Sequence, residues 1–186
     1  MPNVKGVLFA DYVRMLRSFK GVDWQEHITA EDQAYLAVRV ESDHWYPMAT
    51  FERLGNAILR TVARGDLQAV RIWGRFSVDQ LRALHPALVA PRDAVETLNR
   101  FRVLRSTFFD FEALAITMLL DGEANITIAY GMGPVAEEAA SFQTMGFFER
   151  LLELSGAEQV SARFVQRSWT GDPRTLLHLA WTIPQP

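Results

Sequence analysis

Apolar residues return every three or four positions through the first hundred residues and every second position later on, so the chain predicts helices first and strands afterwards. Leu8, Tyr12, Leu16 and Phe19 form the first stripe, with Asp11, Arg14 and Arg17 off it and Gly21 as a stop. Residues 23–28 fit another turn or two, and Thr29 followed by Asp32 reads as a capping box opening a further helical piece. Asp43-His44-Trp45-Tyr46-Pro47 interrupts the pattern, because proline pushes the residue before it out of the helical region. Helix resumes near Ala49 with Phe51, Leu54, Ile58 and Val62 on one face and Gly65 at its end. Asp66 then caps a short helix carrying Leu67, Val70 and Trp73 that stops at Gly74. Ser77 with Gln80 opens a separate helix through Leu81 and Leu84, closed before Pro86. After a loop at 89–91, Val95, Leu98, Phe101 and Phe108 predict a longer helix.

The period then drops to two. Leu114, Ile116 and Met118 alternate, Asp121-Gly122 turns, and Ile126, Ile128 and Tyr130 alternate again, which predicts an antiparallel hairpin. Gly131 and Gly133-Pro134 end it, and residues 135–155 form an amphipathic helix with Phe142, Met145, Phe148 and Leu152, terminated by Gly156. Val160, Ala162 and Phe164, a turn at Thr170-Gly171-Asp172-Pro173, and Leu177, Leu179, Trp181 and Ile183 predict a second hairpin. The fold class is therefore α+β, an N-terminal helical half followed by a four-stranded antiparallel sheet in hairpin–helix–hairpin order. One domain spans 1–186, with a helical subdomain at about 1–108 and a sheet subdomain at about 109–186. The chain contains no internal repeat and no low-complexity linker.

Composition narrows the chemistry. The 186 residues include no cysteine, which removes disulfides, thiolate metal sites and thiol nucleophiles together. A net charge of -3 supplies no positive field to gather nucleic acid, so none is expected as a partner. The longest charge-free apolar stretch, residues 113–120, falls far short of a membrane span, and the first residues lack the order of a secretory signal. A cytoplasmic location is the expectation. His27, His44, His85 and His178 show no spacing that would put two metal ligands on one helical face, so no metal site is expected. Gly131-Met132-Gly133 follows a strand but lacks the third glycine of a dinucleotide fingerprint, and Glu137-Glu138 suits the positive end of a helix. No nucleophile–base pair can be assembled from the residues, so the chain is not expected to be an enzyme.

Several short runs, in order, resemble the heme nitric oxide/oxygen binding (H-NOX) domain: Val4-Lys5-Gly6-Val7, Tyr46-Pro47, Trp73-Gly74-Arg75, Leu98-Asn99-Arg100-Phe101-Arg102, Tyr130 before a helix, and Gly146-Phe147 within it. The hairpin–helix–hairpin portion is also similar to 4-vinyl reductase-type domains and to vesicle-tethering subunits of Golgi transport. A closer likeness is to heme-ligand-free paralogous proteins of myxobacteria. The resemblance implies helices and a sheet wrapped around an apolar cavity. In heme-binding relatives the Leu-x-x-Phe pattern is followed by the iron-ligating histidine, and here that position is Arg102. Those relatives carry Tyr-x-Ser-x-Arg to hold the heme propionates, and here the run is Tyr130-Gly131-Met132-Gly133-Pro134. A guanidinium stays protonated and offers no lone pair to iron.

The resemblance with these departures implies a non-enzymatic binding or sensor domain in bacterial signalling, with heme not expected as a cofactor. The candidate ligand-binding residues are Leu98, Phe101, Arg102, Met118, Ile128, Tyr130 and Phe142, with Arg102 meeting the acid group of an apolar or amphipathic small molecule. The alternative is a protein-interaction scaffold, a homodimer or the docking site of a signalling partner, whose cavity is filled. Phe108, Phe109 and Phe111 would then plug the pocket or form an exposed patch.

Overall fold

The computed structural model describes residues 1–183. The chain divides into two compact units, one of Met1–Asp66 with Ser106–Phe111 and one of Leu67–Arg105 with the chain from Glu112 onward. The sequence-based split near residue 108 follows element type, whereas this division assigns two of the later helices to the unit that holds the sheet.

In the first unit, β1 (Asn3–Lys5) leads directly into α1 (Gly6–Ser18), followed by α2 (Ala30–Ala37), β2 (Trp45–Pro47) and α3 (Met48–Thr61). The two strands pair antiparallel, Val4 opposite Tyr46. Phe9, Val13 and Leu16 are the buried face of α1, one position round from the stripe expected through Leu8 and Tyr12. The shift follows from the aromatic core, where Phe9 stacks on Tyr46 at 4.4 Å and Tyr12 stacks on Phe51 at 4.2 Å. Thr29 and Asp32 form the expected capping box of α2. Asp32 is completely buried and also accepts two hydrogen bonds of 2.7 Å from the Arg53 guanidinium, tying α2 to α3. Phe108 and Phe109 are buried here too, the Lys5 N–H donating to the Phe108 carbonyl at 2.8 Å.

The second unit contains α4 (Leu67–Leu84), α5 (Ala94–Leu104), β3 (Leu114–Leu120), β4 (Glu123–Ile128), α6 (Pro134–Leu154), β5 (Glu158–Gln166) and β6 (Thr175–Thr182). The sheet is antiparallel throughout, in the order β3-β4-β6-β5. One face buries Ile126, Ile128, Leu177, Leu179 and Trp181 against a core that includes Phe148, Leu151 and Leu152 of α6. Each such side chain contributes about 1.5 to 3 kcal/mol by leaving water.

Three local expectations are corrected. The pieces expected on either side of Gly74 are one 18-residue helix. Gly74 does not terminate it, because a Cβ there would lie 1.8 Å from the Gln143 carbonyl oxygen, and one on Gly146 would lie 1.9 Å from the Arg71 carbonyl oxygen. The two glycines let the backbones of α4 and α6 touch, and the Ser77 hydroxyl donates to the Gly74 carbonyl at 2.7 Å instead of capping a new helix. The helix expected to reach Phe108 ends at Leu104. Finally, the register of β3 slips between Ile116 and Met118, so the alternation Leu114, Ile116, Met118 does not stay on one face.

Candidate ligand site

The family-like run lies on α5. Asp93 starts the helix by accepting from the Glu96 N–H at 2.8 Å, and the Thr97 hydroxyl ties it back to the preceding loop through Ala90 and Asp93. Leu98 and Phe101 point inward, and Phe101 meets Phe147 and Phe148 of α6 at ring-centroid distances of 5.3 and 5.0 Å. Arg102 follows 100° further round the helix and is exposed. Its neighbours are paired, Arg100 with Glu96 at 2.9 Å and Arg105 with Glu112 at 3.4 Å, while Arg102 makes no hydrogen bond or ion pair among the described residues.

The remaining candidates are distributed over three places. Ile128 is fully buried on the core face of β4, opposite Leu114. Met118 pairs with Asn125 and receives a contact from its amide nitrogen at 3.7 Å, so it lies on the other face of the sheet from Ile128. Phe142 is half-buried against Phe164 of β5 and Trp169 at 5.3 and 6.5 Å, 120° round α6 from Phe148. Leu98 and Phe101 therefore share a packed core with α6, while Met118 and Phe142 belong to other surroundings.

Tyr130 is the most constrained of the set. Its ring is buried, and its hydroxyl shares a 2.6 Å hydrogen bond with Thr144. Burial pushes the phenol well above its ordinary pKa, the nearby Glu137 adds to this, and the Thr144 bond only partly opposes it. The backbone around it is held by a residue whose role the sequence conceals. Glu137, also buried, accepts from the N–H of Tyr130 with one carboxylate oxygen and from the N–H of Met132 with the other, each at 3.0 Å. Only its place in the first turn of α6, beside the positive helix end, signalled it.

His178 sits on the face of the sheet that carries Met118. Its Nδ1 lies 2.9 Å from the Asn125 side-chain oxygen and its Nε2 lies 3.9 Å from Glu123. Among the described residues no three His, Cys, Asp or Glu side chains cluster closely enough to hold a metal ion. No helix there is long and apolar enough to cross a membrane.

These features define the class: a helical N-terminal half and a four-stranded antiparallel sheet in an H-NOX-like α+β fold. The T. tengcongensis H-NOX, solved as a mutant, superposes with a TM-score of 0.62 at 13% identity over 97% of this chain and 98% of that one. An H-NOX protein from S. oneidensis in the Fe(II)NO ligation state gives 0.65 at 12% identity, covering 96% and 99%. An oxygen-binding H-NOX domain related to soluble guanylate cyclases gives 0.62 at 13% identity, covering 97% and 96%. At these identities the likeness establishes the fold. No protein-family model and no curated protein matches the sequence.

Proposed function

We propose that this chain is a non-enzymatic small-molecule-binding or sensor domain of H-NOX-like fold that works without histidine-ligated heme, in bacterial signalling in the cytoplasm. Arg102 carries the reading. It is an exposed cation with no partner among the described residues, at the position where the resemblance places the histidine that ligates iron. A guanidinium cannot donate a lone pair to a metal, so the residue does not fit that role. The run after β4 points the same way, since the amides of Tyr130 and Met132 are already held by Glu137 and no arginine stands in the loop to pair with a propionate. An unpaired guanidinium instead suits the acid group of an apolar or amphipathic ligand.

Native mass spectrometry of protein purified without added ligand, set against the denatured mass, tests this. The expected result is a non-covalent excess smaller than heme, and an Arg102→Ala variant that holds the same ligand at least tenfold more weakly. A heme-sized excess overturns the proposal. Unchanged affinity in Arg102→Ala removes the salt bridge from it.

A second reading, a protein-interaction scaffold whose cavity is filled, draws on Phe108 and Phe109 being buried and on Phe101 packing directly against Phe147 and Phe148. No mass excess together with a dimer peak favours the scaffold.

A further inference from the structure

We infer that His178 and Glu123 form a surface site for a divalent transition-metal ion of the zinc or copper class, with Asn125 holding the imidazole in its ligating form. The inference is independent of what the domain binds at Arg102.

Strand register brings the three residues together. Asn125 of β4 stands opposite His178 of β6, and Glu123 stands opposite Ala180, two residues along on the same face. Side chains on one face of paired strands meet straight across and along the diagonal, so His178 reaches both. Its Nδ1 is 2.9 Å from the Asn125 amide oxygen, and its Nε2 is 3.9 Å from Glu123 Oε2. Histidine spacing along the chain gives no sign of such a pair, because it is made between strands.

A chain of contacts decides which ring nitrogen is free. The Asn125 amide nitrogen lies 3.7 Å from the Met118 sulfur. A thioether accepts but has no hydrogen to give, so this contact keeps the amide nitrogen toward Met118 and the amide oxygen toward His178. That oxygen accepts from the Nδ1–H, which leaves the Nε2 lone pair facing the Glu123 carboxylate. A histidine whose other nitrogen donates to a fixed acceptor is the usual arrangement at a metal centre.

The distances suit an ion between the two groups. Tetrahedral ligands about 2.0 to 2.2 Å from zinc stand roughly 3.4 Å apart, so closing the site takes a shift of about half an ångström. Glu123 can supply it, since its side chain is 45% exposed, while the ring of His178 is 19% exposed and held by Asn125. One neutral nitrogen and one anionic oxygen favour zinc or copper over magnesium or calcium. Water fills the other positions, because no third His, Cys, Asp or Glu stands close enough among the described residues. Arg163 lies across from His178 on β5, so Nε2, turned toward Glu123 on β4, faces away from that cation. His44 and Asp43 also approach each other, at 3.2 Å, but their side chains are 67% and 84% exposed and nothing among the described residues holds the other ring nitrogen.

Isothermal titration calorimetry of zinc chloride into the whole chain tests this, in a buffer that does not bind metal and at a pH where histidine is neutral, with circular dichroism confirming that each variant is folded. Wild type should bind one zinc ion per chain. His178→Ala and Glu123→Gln should each weaken binding at least tenfold, and Asn125→Ala about 10- to 100-fold. Nitrogen-15 NMR of the His178 ring should show the proton on Nδ1 in wild type and mainly on Nε2 in Asn125→Ala, a change that loss of packing alone would not produce. Ala180→His adds a third ligand opposite Glu123 and two residues from His178, and should tighten binding at least tenfold. A wild type that binds no zinc at millimolar metal overturns the inference, as does a wild-type ring protonated on Nε2. So does binding that His178→Ala leaves unchanged, which would locate the ion elsewhere, such as His44 with Asp43, or an Ala180→His variant that binds no tighter than wild type.

Discussion

Asp32 is a charge with no access to water, and its two oxygens accept from the Arg53 guanidinium and from the Thr29 N–H. Burial alone would raise its pKa, but the Arg53 pairing and the Thr29 bonds outweigh burial and hold it below the ordinary value of 3.8. A carboxylate whose pKa is lower folded than unfolded adds stability that is complete above the unfolded value and is lost as pH falls through the folded one. Urea denaturation followed from pH 7 to pH 2 should therefore show wild type losing stability below about pH 4, and Asp32→Asn should flatten that part of the profile. At pH 7, Asp32→Ala should cost about 2 to 3 kcal/mol, below the range for a fully buried pair because the Arg53 side chain is 38% exposed and can rehydrate. Glu137→Ala tests a second buried carboxylate. It strands the N–H groups of Tyr130 and Met132, and a loss of about 2 kcal/mol is expected in the same assay. Neither role can be read from residue type. Thr29 and Asp32 announced the cap by their three-residue spacing, but the Asp32–Arg53 contact spans 21 positions and depends on how two helices pack.

At the scale of elements, glycine substitutions separate local propensity from packing. In an exposed helix interior, replacing glycine by alanine gains about 1 kcal/mol. For Gly74 and Gly146 the sign reverses, because the new methyl group meets backbone oxygen at 1.8 and 1.9 Å and neither helix can yield without moving as a body. Gly74→Ala and Gly146→Ala should each lower the thermal midpoint by more than 10 °C, which corresponds to a loss of roughly 3 kcal/mol or more. Gly21→Ala, with open space around its Cβ position, should leave the midpoint within about 2 °C. If Gly74→Ala proves neutral or stabilising, the close crossing of α4 and α6 is wrong. The same glycine shows where reading the chain falls short. Gly74 looks like a stop when only the polypeptide near it is considered, and it proves to be a contact point once α6 is placed against it. The hairpins were legible because their alternation and turn residues are local. The slip after Ile116 was not, since a bulge depends on which partner residue sits opposite.

For the whole molecule, the order of helical and strand patterns sufficed for an α+β fold and the short runs that resemble H-NOX supplied its type, whereas the candidate ligand-binding residues lie in separate surroundings. Leu98 and Phe101 were legible as an apolar helix face expected to line a cavity, and both are buried, Phe101 packed against Phe147 and Phe148. Met118 went to the opposite sheet face through the slip, and Phe142 joined Phe164 and Trp169 through its angle on α6. If the proposed loss of heme reflected one residue, Arg102→His should restore it. Two separate features argue otherwise: the cation on α5, and a loop whose amides are taken by Glu137 and which carries Met132 and Pro134 where the resemblance places a serine and an arginine. Restoring a ligand to iron leaves the second feature unchanged, and a propionate approaching the loop would meet a buried carboxylate already bonded there. Hemin added at equimolar concentration to wild type or to Arg102→His, followed by gel filtration, should therefore leave no Soret absorbance in the protein peak. Stoichiometric heme retained by Arg102→His would mean that the guanidinium alone excludes it. The Glu137 contact would then be a brace for the turn into α6 with no bearing on what the domain binds.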